Sequence, residues 1–256
     1  MRIATFNANS VRARLEIILN WLQAQEPDVL ALQETKVQDE DFPHDSFEEA
    51  GYHVAFSGEK SYNGVAVLTR EKPLRVIAGF SDDGPADAAR LLRVDLPGLF
   101  LVNTYVPQGR SLDDQMYAYK QEWFRRLRSY FAKAFTPADP VIWLGDMNVA
   151  RTDLDVFSPE KHLENVCFTP EIRRCLDEVI GWGFVDVFRR AHPDERLYSF
   201  FDYRAPWALK RRDGWRIDAI YATQPLALRC RRAEIDLQPR LGPRPSDHTF
   251  LVADFD

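Results

Sequence analysis

Eight short apolar runs set the terms on which this chain can fold. They are "RIATFN", ending at Asn7; "DVLALQE", ending at Glu34; "NGVAVLTR"; "LLRVDL"; "LFLVNTY", ending at Tyr105; "PVIWLGDMN", ending at Asn148; "RIDAIYAT", with Asp218 inside it; and "DHTFLVADF", opening on Asp247 and His248. Each is rich in Val, Ile, Leu or aromatics and is bounded by turn residues, the pattern of a buried strand. Helical spacing runs between them. Leu15, Ile18, Leu19 and Leu22 fall at i, i+3, i+4 and i+7, and Pro27 closes that segment. Phe124, Leu127, Phe131 and Phe135 mark one face of a second helix. Thr169 and Pro170 read as a cap followed by proline at the first helical position, with Ile172, Leu176 and Val179 inward. Strands beside strands, as well as beside helices, predict two packed sheets with helices outside.

The chain can build such a core: 45% of its 256 residues are hydrophobic. No repeat, low-complexity tract or long Gly/Ser linker marks a boundary, so one domain over 1–256 is expected. No apolar run is long enough to span a bilayer, and "MRIATFNANS" lacks the apolar region of a secretory signal. Cys167, Cys175 and Cys230 are too far apart for a paired zinc motif, and a sparse, odd set points to a reducing compartment, so a cytoplasmic protein without a membrane partner is expected. The net charge of −6 argues at first against a polyanionic partner. Charge is uneven, however: from Arg189 to Arg244 there are 13 Lys and Arg against 7 Asp and Glu. That segment is either a solvated face or a surface for a polyanion.

The strands repeatedly finish, or begin, with one polar group: Asn7, Glu34, Tyr105, Asp146, Asn148, Asp247 and His248. Taken singly, each has a plain structural explanation, as a turn former, a helix-start carboxylate or a loop cap. Together they are harder to dismiss, because sheet-based enzymes collect function at strand ends. Asp146 and Asn148, two apart in an extended run, are expected on the same side of the strand. Carboxylates and amide oxygens are hard ligands suited to Mg²⁺ or Mn²⁺, and no Cys/His cluster offers a softer site. A further acid, a histidine and a tyrosine can then move protons and stabilise charge, a set suited to phosphoester hydrolysis. Serine-elbow, Walker and dinucleotide signatures are absent from the sequence.

The stretches "ATFNANSVRARL", "DVLALQETKV", "SYNGVAVLTR", "YVPQG", "LGDMNVA", "WRIDAIYAT" and "PSDHTF" resemble, in order and approximate spacing, the exonuclease III family of apurinic/apyrimidinic endonucleases. That family belongs to the DNase I-like endonuclease/exonuclease/phosphatase superfamily. The resemblance runs from Ile3 to the end of the sequence. It implies a four-layer α/β sandwich, in which two packed, mainly antiparallel sheets are flanked by helices. It also implies a monomer acting on double-stranded DNA, abasic or 3′-ended, with Mg²⁺ as cofactor and Mn²⁺ as its substitute. The expected activities are incision 5′ to abasic sites, 3′→5′ exonuclease action and cleaning of 3′ ends.

By that resemblance Glu34 holds the metal, helped by Asn7, with Asp247, Asp146, Asn148 and His248 at a second or shifted position. Asp146 prepares the attacking water, Asn148 fixes it and binds the phosphoryl group, and the Tyr105 phenol bonds a phosphate oxygen. His248, held by Asp218, donates to the developing oxyanion. DNA contacts fall to Arg12, Tyr62, Arg90, Gln108, Lys120, Trp207, Lys210 and Arg211, and an abasic pocket to Phe200, Trp215 and Ile217. "RAPWALKRRDGW" joins cations to aromatics, a pattern for backbone contact with stacking or wedging; a solvated hairpin tip is the alternative. Phe6, Met147 and Phe201 depart from residues usual in the family and are expected to alter packing or substrate fit rather than chemistry. His44, His53, His162 and His192 are expected at the surface. Two other functions stay open: another phosphoesterase of the superfamily, on a phosphoinositide or nonspecific nucleic acid, and a non-enzymatic DNA-binding module.

Overall fold

The computed structural model describes residues 1–205 and 207–256. The first stretch of chain forms β1 (Arg2–Asn7), α1 (Val11–Gln25), β2 (Val29–Gln33), α2 (His44–Glu49), β3 (His53–Ser57) and β4 (Val65–Thr69). Next come β5 (Arg75–Ala78), β6 (Leu91–Leu96), β7 (Leu99–Tyr105), α3 (Gln115–Ala134), β8 (Val141–Asp146) and α4 (Pro170–Ile180). The remainder forms β9 (Phe184–Asp186), α5 (Val187–Ala191), α6 (Ala208–Arg211), β10 (Asp218–Thr223), α7 (Gln224–Ala227), β11 (Cys230–Asp236) and β12 (Phe250–Phe255). The strands make two six-stranded sheets, ordered β11-β12-β1-β2-β4-β3 and β5-β6-β7-β8-β10-β9. Pairing is antiparallel except for β1 with β2 and β7 with β8. Those two parallel pairs are the ones whose crossovers carry a long helix, α1 and α3, as a parallel pair requires.

The alternation of each strand divides its side chains between two cores. On β8, Ile142 and Leu144 face the other sheet, with Ile3, Val29, Ala31 and Val67, while Val141 and Trp143 face α3 and α4. On β1, Ile3 points inward, and Ala4 and Phe6 point to α1 and α2. The result is the expected four-layer α/β sandwich. Thr169 caps α4 as anticipated, its hydroxyl accepting from Ile172 N–H. One polar layer crosses between the sheets: Gln33 donates to Thr5 Oγ1 at 2.9 Å and Asn103 Oδ1 at 2.7 Å, and Asn103 donates to the Leu32 and Ala66 carbonyls. Groups of this kind, buried and bonded, fix the offset of one sheet on the other.

Three boundaries differ from the sequence expectation. β2 stops at Gln33 and β8 at Asp146, because Glu34 and Asn148 take left-handed backbone conformations, with φ of 48° and 49°. β12 begins at Phe250, leaving Asp247 and His248 in the approach to it. Asp146 and Asn148 are therefore brought together by a turn, not by strand alternation. Phe6, Met147 and Phe201 are all buried, and Phe6 stacks on Phe250 at 4.0 Å between ring centroids.

Candidate active site

Register places the site. Tyr105 on β7 and Asp218 on β10 are both strand partners of Asp146 on β8. The inward side of those strands is the side of Leu101, Leu144 and Ile220, which shares parity with Tyr105, Asp146 and Asp218. Asn7 shares parity with inward Ile3 at the end of β1 in the facing sheet. Four strands from two sheets thus deliver a phenol, two carboxylates and an amide to one end of the sandwich.

Hydrogen bonds lock this group. Asn7 Nδ2 donates at 2.8 Å to both Glu34 Oε1 and Asp146 Oδ2, and its Oδ1 accepts from Asn9 N–H. Asn7 therefore bridges the two carboxylates through its nitrogen. Asn148 N–H donates to Asp146 Oδ1 at 2.8 Å, and its side-chain amide donates to the Val106 carbonyl at 2.9 Å. His248 Nδ1 lies 2.8 Å from Asp218 Oδ2, which leaves Nε2 directed to Asp146 Oδ2 at 3.9 Å. Asp247 Oδ1 accepts from Asn9 Nδ2, and Ser246 Oγ, which bonds the Asn7 carbonyl, also accepts from His248 N–H. Lys36 pairs with Glu34 at 3.0 Å.

The electrostatics follow from burial and crowding. Burial raises the Asp146 carboxyl; His248 opposes this, Asp218 and Glu34 add to it, and the balance falls at about 7. His248 is the converse: burial disfavours its charge, but Asp218 and Asp146 outweigh that and push it up to about 10. Burial, with Glu34 and Asp146 nearby, pushes the Tyr105 phenol well above its usual value, so it stays a neutral donor. Glu34, Asp146 and His248 can bring ligand atoms within 4.8 Å of one another. Two hard carboxylates, with Asp218 and Asp247 close by and only Lys36 and His248 to balance them, fit a hard divalent cation. Asn7 orients both carboxylates.

The cluster opens into a cleft of about 440 Å³ lined by Glu34, Tyr105, Gln108, Asn148, Asp247 and His248, and on its apolar side by Phe200, Trp215, Ile217 and Phe157. The Phe200 ring meets the His248 ring at 4.9 Å. Phe200 and Trp215 are bridged through their backbones, which joins the aromatic wall to the catalytic end. Between Trp215 and Ile217, Arg216 points the opposite way, into a buried ion cluster with Asp155 and Asp186.

The structure brings together most of the residues anticipated and scatters others. Arg90 lies over the Tyr105 ring at 4.8 Å, within reach of the cleft. Arg12 is exposed on the first turn of α1, and Tyr62 is exposed in the β3–β4 loop. Trp207 is exposed beside α6, with Lys210 Nζ 5.6 Å from its ring centroid and Arg211 exposed next to it; the stretch is a short helix, not a hairpin tip. Pro206 lies outside the described residues. Two expectations need correction. Lys120 is fully buried, with its ammonium bonded to three carbonyls, and cannot meet a phosphate. His162 is half-buried and stands at the site rather than away from it: its ring lies 4.8 Å from both Phe157 and Trp215 in the cleft wall. Phe157, His162, Asn9 and Ser246 carried no strand-end signal in the sequence; each is recognisable only from what it touches.

A family model described as the Endonuclease/Exonuclease/phosphatase family matches residues 4–248. Exodeoxyribonuclease III of Haemophilus influenzae is 34% identical, with 100% of each chain covered. The chain belongs to this family, in its exodeoxyribonuclease III branch. Among solved structures, an AP endonuclease from Archaeoglobus fulgidus is 48% identical with a TM-score of 0.98, covering 100% of this chain and 99% of its own. A 3′ phosphatase from Neisseria bound to a product DNA hairpin is 33% identical with a TM-score of 0.94, covering 100% and 99%. The family is one of metal-dependent hydrolases, and the cluster around Glu34 and Asp146 offers the acidic ligands such an enzyme needs. Among the described residues, no helix is long and apolar enough to cross a membrane.

Proposed function

We propose that this chain is a single-domain, monomeric, Mg²⁺-dependent DNA repair phosphodiesterase, with Mn²⁺ as a substitute ion. It incises duplex DNA 5′ to abasic sites and works as a 3′→5′ exonuclease that also clears blocked 3′ ends. The observation that carries the reading is the juxtaposition of the buried Asn7–Glu34–Asp146–Asn148–His248–Asp218 network with an apolar cleft.

In this reading Glu34 and Asp146, oriented by Asn7, hold the cation, which supplies Lewis-acid stabilisation of phosphoryl charge. Asp247 flanks the same end. The ionised Asp146 carboxylate, fixed by the Asn148 N–H, orients the attacking water and accepts its proton. The neutral Tyr105 phenol bonds a non-bridging phosphoryl oxygen, and Asn148 joins it by exchanging the 3.3 Å contact of Nδ2 with Asp146 for the phosphate. His248, kept cationic by Asp218, donates from Nε2 to the developing charge. The bond from phosphorus to the 3′ oxygen breaks, leaving a 3′ hydroxyl and a 5′ phosphate. Arg12, Tyr62, Arg90, Gln108, Trp207, Lys210 and Arg211 serve the duplex, and Phe200, Trp215 and Ile217 receive a sugar without its base. Such a sugar is cheap to rotate out, because stacking and pairing are already lost.

His162 lines the apolar side of the same cleft, its ring 4.8 Å from both Phe157 and Trp215, and is placed to narrow what that side admits. The test is a metal titration with an abasic duplex, a 3′-phosphate duplex and a plain recessed end side by side, and an inositol phosphate as control. Metal-dependent cleavage of the DNA alone is expected. Turnover of the inositol phosphate without turnover of any duplex would reject the proposal.

A further inference from the structure

Lys120 sits in the second turn of α3 and is completely buried. A lysine ammonium has three N–H donors and no acceptor. All three are spent on backbone carbonyls: Gln108 at 3.1 Å, Asn148 at 2.7 Å and Val166 at 2.8 Å. Burying an ammonium without a carboxylate in contact is costly, and a chain that needed only to fill this volume would place an aliphatic side chain here.

The three carbonyls come from segments far apart in sequence. One follows β7, one is the turn after β8, and one precedes α4. Each segment also lines the cleft, through Gln108, Asn148 and Cys167 respectively. Asn148 is the demanding member, because its φ of 49° lies in the left-handed region that L residues enter at a cost. Its donors and its backbone carbonyl are all held. The N–H goes to Asp146 Oδ1, the side-chain Nδ2 to the Val106 carbonyl and, at 3.3 Å, to Asp146 Oδ2, and the backbone carbonyl to Lys120.

We propose that Lys120 is a positioning residue for hydrolysis: its ammonium holds Asn148 in the left-handed turn that brings both its backbone N–H and its side-chain Nδ2 onto Asp146. This rests on the phosphodiesterase reading above. A lysine that merely pinned loops would affect turnover only through the amount of folded protein, whereas a positioning lysine acts through Asn148.

The test is a double-mutant cycle of Lys120→Met and Asn148→Ala. It is read as kcat and KM on a 3′-phosphate duplex, with a melting curve for every variant. Lys120→Met is expected to lower kcat at least about tenfold, the scale of a lost charged hydrogen bond, with KM within about twofold. That loss is expected to shrink when Asn148 is already alanine, which removes the Nδ2 contact with Asp146 and keeps only the backbone one. Additive losses, a wild-type kcat in folded Lys120→Met, or a fall in rate that only tracks the melted fraction would each overturn the proposal. Should Lys120→Met not fold, the cycle is run with Lys120→Arg, which keeps charge and reach but presents a planar fork that cannot serve three converging carbonyls. If neither variant folds, the ammonium holds the fold rather than the site, and the proposal is overturned. A wild type without turnover sinks the phosphodiesterase reading itself; a wild type that turns over beside an additive cycle sinks only the role of Lys120.

Discussion

Replacing Asp218 by asparagine isolates the charge that keeps His248 cationic. The pair is wholly buried, with Nδ1 and Oδ2 2.8 Å apart, and an amide of the same shape can still accept from Nδ1–H. What is lost is the negative charge that outweighs the burial of the imidazolium. In the wild type the histidine is raised to about 10, so Nε2 is a charged donor across the neutral range. Because the folded value lies above the unfolded one, its contribution to stability is complete below about 6.5 and is lost as pH rises through about 10. In the variant burial persists without the counter-charge, and the histidine falls toward or below its ordinary value. A hydrogen bond to a charged group is worth about 1.5–3 kcal/mol. Its loss in the transition state then slows turnover by roughly 10- to 150-fold at neutral pH. Activity rises as Asp146 loses its proton and falls as His248 loses its own, so the falling limb of the pH–rate profile moves to lower pH. The assay is single-turnover cleavage of a 3′-phosphate duplex from about pH 5.5 to 10, with melting curves at each pH to exclude unfolding. A folded Asp218→Asn enzyme whose optimum stays where the wild type has it would refute the reasoning.

Three other expectations are independent of that one. With Asp146 raised to about 7, divalent cation added at about pH 6 should release about one proton, and almost none above about pH 8; calorimetry in buffers of different ionisation enthalpy measures this, and release that does not vary with pH would contradict the shift. Neutralising Lys210 and Arg211 together should flatten the slope of log affinity against log salt by roughly one to two units, at about 0.9 per phosphate contact; an unchanged slope would return them to a solvated face. His162→Gly should widen the apolar cleft and raise the ratio of abasic-site incision to 3′-end cleavage, while Trp215→Ala, if it stays folded, should cut intact sites relatively more often; ratios on internally labelled duplex that do not move in folded variants would remove both residues from substrate selection.

The strand-end residues were readable in the sequence because two simple rules act on them. Alternation fixes which face a residue takes, and short apolar runs fix where strands end, so Asn7, Tyr105 and Asp146 could be placed before any coordinates. Asn148 was placed at the right end for the wrong reason, since a left-handed turn, not an extended strand, turns it toward Asp146. Lys120 was misread because a lysine between aromatic positions of an amphipathic helix ordinarily faces water. The carbonyls that accept it lie at positions 108, 148 and 166, a convergence that no local pattern encodes. His162 failed similarly: nothing near it in sequence announces the Trp215 ring it meets. β3, β5, β9 and β11 escaped notice because they are the four edge strands: β3, β5 and β11 are mostly half-buried or exposed and in part polar or charged, and β9 has only three residues.

The order in which the chain is synthesised acquires a meaning from the place of β12. It lies between β11 and β1, so the last strand described completes the sheet that the first strand begins. Asp247 and His248 sit just ahead of it, while Asn7, which binds Glu34 and Asp146, ends β1. A nascent chain can form most of its second sheet, with Tyr105, Asp146 and Asp218 in register, and still lack the imidazole and the neighbour that β1 needs. A chain interrupted before residue 247 lacks both His248 and the strand that pairs with β1, so neither the first sheet nor the hydrogen-bonded cluster at its end is completed.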